Sequence, residues 1–381
     1  MDLDVNALVD LLSIQGVVCD SEEYVCISAI KWLEAKPERK DHALRVLQSI
    51  RIGLLSETFI NSQILNDPIF NRVISCLNQL SCKTISRSCN MSILAHTNAS
   101  NSRIYNLEDQ DWKHWNYVDL CRQMVFHGQY LFLVGPFQDA QNLYLKRYDC
   151  CTKEWKTIAD TQLLNGSGPM IMIQNHETVV ANNQLYIFVE TETSSRCIKI
   201  FNITTSRWSN GPVMFKSPGP LAIVSLDDFV YVFETKNETG PLKAKKLNTT
   251  TQMWSDIAPI MKDREECGIT VYNRKIYLAG GIQDKSPDST FFEVYNPEND
   301  KWTELITPIT PGNAKTTLVA VADGIYAFER ITSVSLTSGL TSPKNKVNFY
   351  DVEKNIWIKK RKLPKVLGSN TIFCAVPEFM I

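Results

Sequence analysis

Two periods divide the chain. Up to about residue 80 apolar positions recur at the i, i+3, i+4, i+7 spacing of a helix that buries one face, whereas from Cys82 onward apolar and polar residues alternate as in half-buried strands. In the first part Val25, Ala29, Trp32 and Leu33 share a helical face, with Asp20-Ser21-Glu22-Glu23 as a capping start and Lys36-Pro37 as a stop. A second helix is predicted from about Glu38, carrying Ala43, Val46, Leu47 and Ile50, and a later one over Phe70, Val73, Ile74 and Leu77. His42 reads as a solvent-facing helix residue.

The alternating part is built on one pattern. An apolar or aromatic residue is followed at once by Asn or Asp, and Trp comes seven residues after the first. The copies are Tyr105-Asn106…Trp112, Tyr148-Asp149…Trp155, Phe201-Asn202…Trp208, Leu247-Asn248…Trp254, Tyr295-Asn296…Trp302 and Tyr350-Asp351…Trp357. The internal spacing holds while the distance between copies drifts, as in a repeat with loops of variable length. Each copy is predicted to be a β-hairpin: the Asn or Asp side chain bonds backbone further round the turn, and the aromatic and Trp face each other across it. A buried Trp covers roughly 150–250 Å², and six of the eight Trp serve this pattern.

Before each hairpin lies a strand pair about a short polar turn: Gly268–Val271 with Ile276–Ala279, Leu120–Phe126 with Tyr130–Val134, Thr178–Ala181 with Leu185–Val189, Leu221–Ser225 with Phe229–Phe233, and Thr316–Ala320 with Gly324–Phe328. Nothing suitable precedes Ile93-Leu94-Ala95, so the first unit is one strand short. After Trp357 the last unit is complete, yet Thr371–Val376 follows and matches an opening strand. One strand left over at each end suggests a ring in which the tail strand completes the first sheet, hiding the edges an open array would expose. The expected fold is α+β and multidomain: a helical segment at 1–80, then an all-β six-bladed β-propeller at 82–381 closed by its C-terminal strand.

Composition narrows the function. Lys and Arg number 40 against 41 Asp and Glu, so there is no overall charge with which to hold a phosphate backbone, and nucleic acid is not an expected partner. Met1-Asp2-Leu3-Asp4 does not read as a secretory signal, and no apolar stretch approaches a membrane span. The eleven Cys are odd in number and scattered, with no Cys-x-x-Cys pair, which points to reduced thiols and a cytoplasmic or nuclear protein. The histidines, at 42, 96, 114, 127 and 176, form no catalytic or metal-ligand spacing, so no enzyme, metal or cofactor is expected.

Met261-Lys262-Asp263-Arg264, the Gly280-Gly281 doublet after a strand, Tyr295-Asn296-Pro297 and Trp302 resemble a kelch repeat. Asp20–Ser56, with Ala29-Ile30-Lys31-Trp32 and Ile50-Arg51-Ile52-Gly53-Leu54-Leu55-Ser56, resembles the BACK domain of BTB-BACK-kelch proteins, the kelch-like and the kelch-repeat-and-BTB proteins. At the doublet the other units carry Gly135-Pro136, Val189-Glu190, Glu234-Thr235 and Glu329-Arg330. By this resemblance the BTB domain and the first BACK helices are expected to be missing from the given chain. The resemblance implies the substrate-recognition part of a cullin-RING ubiquitin ligase adaptor, with transfer chemistry on other subunits. Cullin-3 is expected as a partner only if the full gene product carries a BTB domain, which in the family also forms the dimer.

A partner is expected at the loops after each second strand. Glu190, Glu192, Glu234, Glu238, Asp284, Asp288 and Glu329 make that set acidic, and a basic protein ligand follows as the expectation. A copper enzyme on a kelch propeller would need converging His and Tyr ligands. Lys359-Lys360-Arg361-Lys362 resembles a nuclear import signal, against the plainer reading of a polar loop between blades. The alternative function is a protein-binding or cytoskeletal scaffold with no ubiquitin role.

Overall fold

The computed structural model describes residues 3–13, 22–50, 91–97, 102–107, 110–115, 121–127, 130–136, 142–149, 152–162, 173–191, 196–217, 219–282, 291–305, 314–321, 324–334, 341–360, 363–364, 367 and 371–377. The helix expected around Phe70 and the boundary expected at 80–82 lie outside them.

Among its described residues the helical segment has α1 (Val5–Ser13), α2 (Glu22–Glu34) and α3 (Ala43–Ser49). Asp4 starts α1, its Oδ1 accepting from the amides of Asn6 at 2.7 Å and Ala7 at 2.9 Å. Leu8, Leu12, Cys26, Ala29, Trp32, Leu33, Ala43, Val46, Leu47 and Ile50 form one buried cluster. The second predicted helix begins differently: Pro37–His42 is a 3-10 turn, and the α-helix starts at Ala43. In that turn Arg39 is buried, lies 4.3 Å from the Trp32 ring, and donates to the Trp32 carbonyl at 3.2 Å, satisfying an acceptor at the end of α2. His42 is exposed, as expected.

The alternating part forms six four-stranded antiparallel sheets. Blade I joins β1 (Met91–His96), β2 (Ser102–Asn106) and β3 (Asp111–Trp115) to the final strand β24 (Ile372–Pro377). Blade II is β4 (Gln123–His127), β5 (Tyr130–Pro136), β6 (Asn142–Asp149) and β7 (Glu154–Gln162). Blade III is β8 (Ile173–Ala181), β9 (Gln184–Thr191), β10 (Arg196–Asn202) and β11 (Arg207–Asn210). Blade IV is β12 (Leu221–Leu226), β13 (Phe229–Glu234), β14 (Ala244–Asn248) and β15 (Trp254–Asp256). Blade V is β16 (Gly268–Tyr272), β17 (Lys275–Ala279), β18 (Phe292–Asn296) and β19 (Lys301–Glu304). Blade VI is β20 (Ala314–Val321), β21 (Gly324–Val334), β22 (Thr341–Asp351) and β23 (Ile356–Lys359).

The innermost strands β24, β4, β8, β12, β16 and β20 pack in that cyclic order, and β20 returns to β24. The tail strand is the latch: β24 pairs along β1 from Met91↔Pro377 to His96↔Ile372. Phe373 stacks on Phe328 of blade VI with centroids 4.0 Å apart, which fills the closing seam.

All six aromatic-or-Leu/Trp pairs sit directly opposite each other: Tyr105↔Trp112, Tyr148↔Trp155, Phe201↔Trp208, Leu247↔Trp254, Tyr295↔Trp302 and Tyr350↔Trp357. Leu305 N donates to Phe292 O, and alternation along the ladder then makes Tyr295↔Trp302 a pair without mutual hydrogen bonds, where side chains approach most closely. The aromatic pairs accordingly have centroids 4.9 to 5.2 Å apart. The turn Asn or Asp behaves as expected, Asn248 Oδ1 accepting from Thr250 and Thr251 N at 2.9 Å and Asp351 Oδ1 from Lys354 N at 3.0 Å.

Candidate partner-binding face

In an antiparallel blade the first-to-second and third-to-fourth connections share one end of the propeller, and the second-to-third and blade-to-blade connections share the other. The first end is made of short turns. Asn182-Asn183 and Asn273-Arg274 join strands in two residues, with φ of 49° and 59° and of 47° and 57°, the type I′ geometry that follows strand twist. The second end carries the longer segments, among them 211–220, 235–243 and 257–267, which are the connectors that offer a surface.

Arg196 on β10 gathers the first of these. Its Nη2 donates to Glu190 Oε1 at 2.9 Å and to Gly219 O at 2.7 Å, and its Nη1 donates to Ser217 O at 2.7 Å. Ser217 Oγ in turn donates to Glu234 Oε1 at 2.6 Å, while Glu234 Oε2 accepts from Asn237 Nδ2 and Lys243 N, each at 3.1 Å. Beyond it Lys236 pairs with Glu265 at 2.9 Å and, more loosely, with Glu238 at 3.5 Å. Arg264 N donates to Thr235 O at 2.5 Å, tying the 257–267 connector to the 235–243 loop. The Arg264 guanidinium is fully buried, donates to Glu293 Oε1 at 2.7 Å, and lies 4.6 Å from the Phe291 ring. Trp indoles brace the connectors from the rim: Trp254 Nε1 donates to Val213 O and Trp302 Nε1 to Ala258 O, both at 3.1 Å.

The described members of the expected acidic ligand-binding set, Glu190, Glu234, Glu238 and Glu329, do not form an exposed cluster. Glu234 and Glu329 are buried; Glu329 lies within the long strand β21 and accepts from Asn348 Nδ2 at 3.2 Å. Glu190 is half-buried against Arg196. Glu238 stands in solvent, and Glu192, Asp284 and Asp288 lie outside the described residues. A carboxylate that ends or continues a strand here is absorbed by donors of the neighbouring connector or strand, because its desolvation demands hydrogen-bond donors. The solvated charges on this face are mixed: Lys236–Glu265, Lys315–Glu266 at 3.1 Å and Lys262–Glu304 at 3.9 Å. Among the described members of the set Glu238 alone stands in solvent, so these four add no support to the expectation of a basic ligand. Sequence reasoning had passed over Arg196, Lys236 and Glu265, whose only sign was a charge opposite to a nearby Glu or Lys.

Among the described residues no group of His, Cys, Asp and Glu could hold a metal ion, and no helix is long and apolar enough to cross a membrane. Cys197, Cys267 and Cys374 are free thiols, and burial pushes Cys267 up to about 11.

Comparison with known proteins gives two family matches: BACK (BTB And C-terminal Kelch) over residues 1–65 and the Kelch motif over residues 263–305. Human Kelch-like protein 11 is 26% identical over 175 residues, covering 45% of this chain and 24% of that protein. Kelch-like protein 40 of Xenopus tropicalis is 26% identical over 253 residues, covering 64% of this chain and 40% of that protein. Beta-scruin of Limulus polyphemus is 24% identical over 184 residues, covering 45% and 19%. The matched stretch is thus less than half the length of each of these relatives. The kelch propeller and its kelch-like relatives support a protein-interaction module. A BACK match ahead of a kelch match, on a six-bladed propeller with kelch-like relatives, is consistent with a member of the BTB-BACK-kelch family.

Proposed function

We propose that this chain is the substrate-holding part of a cullin-RING ubiquitin ligase adaptor, gripping a protein at the long-connection end of its propeller. The observation that carries the reading is the asymmetry of the wheel: one end is pinned in short turns, while the other presents connectors braced by Arg196, Glu234 and Arg264. A rigid base under variable loops lowers the ordering cost of binding. Met261, 54% exposed on the 257–267 connector, is the apolar anchor we assign to this face, with Lys262 next to it in the chain and the exposed Glu238 on the 235–243 loop of the same end. Cullin-3 would be held through a BTB domain of the full gene product, and ubiquitin transfer would belong to other subunits.

The test is affinity capture with the 381-residue chain followed by mass spectrometry, repeated with a Met261→Asp, Glu238→Lys variant. A partner lost with the variant supports the face as the grip. A partner set unchanged by it overturns that assignment. Reciprocal capture of the full gene product with cullin-3 decides between adaptor and scaffold, and its absence overturns the ligase reading.

A further inference from the structure

The outer strand of each blade is a sheet edge with backbone groups facing solvent, and proteins guard such edges with charge. The exposed residues flanking the outer Trp are Asp111 and Lys113 in blade I, Glu154 and Lys156 in II, Arg207 and Ser209 in III, Met253 and Ser255 in IV, and Lys301 and Thr303 in V. Blade IV has no charge at these two positions, and among the six pairs blade VI alone puts an apolar side chain on both sides of the Trp. Its edge reads Ile356-Trp357-Ile358-Lys359, with Ile356 45% and Ile358 37% exposed on the face opposite to Trp357.

The ladder shows which groups are open. Lys360 N donates to Val347 O at 2.8 Å, so by alternation Ile358 and Ile356 direct their backbone groups inward to β22, and Trp357 and Lys359 direct theirs outward. Charge is also ordered along the edge. Lys359 is exposed, and Lys360, on the face shared with the two isoleucines, lies 5.2 Å from the Phe349 ring. At the other end Lys354 is already paired with Asp351 at 2.7 Å. The edge is therefore apolar at its middle and cationic towards the long-connection end.

We infer that the outer edge of blade VI is a β-augmentation site that takes an extended acidic segment of a partner protein as a fifth strand. The register states what that segment must be. Residues opposite Ile356 and Ile358 are apolar, and the two opposite Lys359 and Lys360 are carboxylates, which gives acidic-acidic-apolar-x-apolar in an antiparallel strand and the reverse order in a parallel one. The docking lies on the rim and leaves the long-connection face free. It also accounts for Lys359 and Lys360 without an import role, since Lys359 sits in a strand and Lys360 against an aromatic ring.

The probe is a fluorescent ten-residue peptide with Glu-Glu-Val-Thr-Val at its centre, titrated with the full chain and followed by anisotropy. We expect saturable binding that a scrambled peptide of the same composition lacks, weakened about tenfold or more by Ile358→Lys and, separately, by Lys359→Pro. Lys359→Pro removes an outward N–H without touching the β22 ladder, so its unchanged thermal midpoint separates lost docking from lost folding. Absence of saturation up to about 1 mM, or binding indifferent to both variants, overturns the proposal. So does concentration-dependent dimerisation of the chain that Lys359→Pro abolishes, because the occupant is then a second copy.

Discussion

Blades V and VI are neighbours with the same strand count and the same Tyr–Trp hairpin, yet they leave their second strands differently. In blade V, β17 stops at Ala279, and Gly280 and Gly281, with φ of 66° and 94°, turn the chain across the 257–267 connector. That crossing makes the isolated bridges Glu265↔Ile282 and Gly281↔Ala314. In blade VI, β21 runs straight on through Glu329 and Arg330, paired with β22 as far as Val334↔Thr341. The kelch doublet is therefore a device for ending a strand under a crossing connector. A blade that prolongs the strand has no use for it, and this is why glutamate replaces glycine there without loss of the hairpin.

The two blades also bury a carboxylate on different terms, and the largest expected effect tests this. Glu293 takes Arg264 from the crossing connector, both buried, whereas Glu329 accepts from Asn348 on the adjacent strand of its own sheet. Arg264→Met leaves Glu293 desolvated without its cation and is expected to cost about 3–5 kcal/mol in denaturant unfolding. The double change Arg264→Met, Glu293→Leu should recover most of that loss. A single variant that costs under about 1 kcal/mol would show that the pair does not hold the connector.

The doublet itself ranks next. A Cβ on Gly280 would sit 2.0 Å from Thr316 Oγ1 on blade VI, in a backbone region disfavoured for any side chain. Gly280→Ala should therefore cost about 2–4 kcal/mol from strain and overpacking together. Glu329→Gly at the aligned position of blade VI meets no positive-φ strain and should cost less, about 1–2 kcal/mol from the Asn348 bond and strand entropy. Equal losses at the two sites would erase the distinction between the blades.

A third carboxylate is held by an amide donor from the neighbouring blade. Glu177 on β8 accepts from Gln123 of blade II, and loss of solvation raises its carboxyl to about 7. The folded value lies above the unfolded one, so the contribution is complete below about pH 4.5 and is lost as pH rises through about 7. Stability should fall across that interval. Glu177→Gln should abolish the slope and stabilise the chain by about 1–3 kcal/mol at pH 8, its amide able to donate to the buried and unpaired Gln123 Oε1. A slope that persists in Glu177→Gln would assign the titration elsewhere.

What could be read from the sequence follows the length scale of each interaction. Strand alternation and the Tyr–Trp register are local, so the blade count and the tail latch were legible. The pairs Ser217–Glu234 and Arg264–Glu293 join residues on different connectors and strands, and until the fold assembles Glu234 looks like any loop carboxylate. Helix α1 went unread although Val5, Leu8, Val9 and Leu12 carry a helical period, because at nine residues it is short. The extension of β21 to Val334 escaped notice because Thr332 and Ser333 look like loop residues.

The smallest expected effect concerns a position with no sequence signal at all. Five residues after the leading aromatic or Leu, every hairpin places one residue in the left-handed region: Gln110, Lys153, Ser206, Gln252, Asp300 and Asn355, with φ between 50° and 58°. None is glycine. Three bond through their side chains, Asp300 Oδ1 accepting from Tyr295 Oη at 2.7 Å and Ala258 N at 2.8 Å, Asn355 Oδ1 from Tyr350 Oη at 2.5 Å, and Gln252 Nε2 donating to Thr249 O at 2.7 Å. Ser206→Gly should relieve backbone strain and stabilise by about 0.5–1 kcal/mol, while Asp300→Gly should lose about 1 kcal/mol net as two bonds outweigh the same relief. Thermal unfolding of the two variants side by side separates conformational preference from side-chain bonding. If both stabilise, the Asp300 bonds contribute nothing, and blade V holds its turn by the same backbone geometry as blade III.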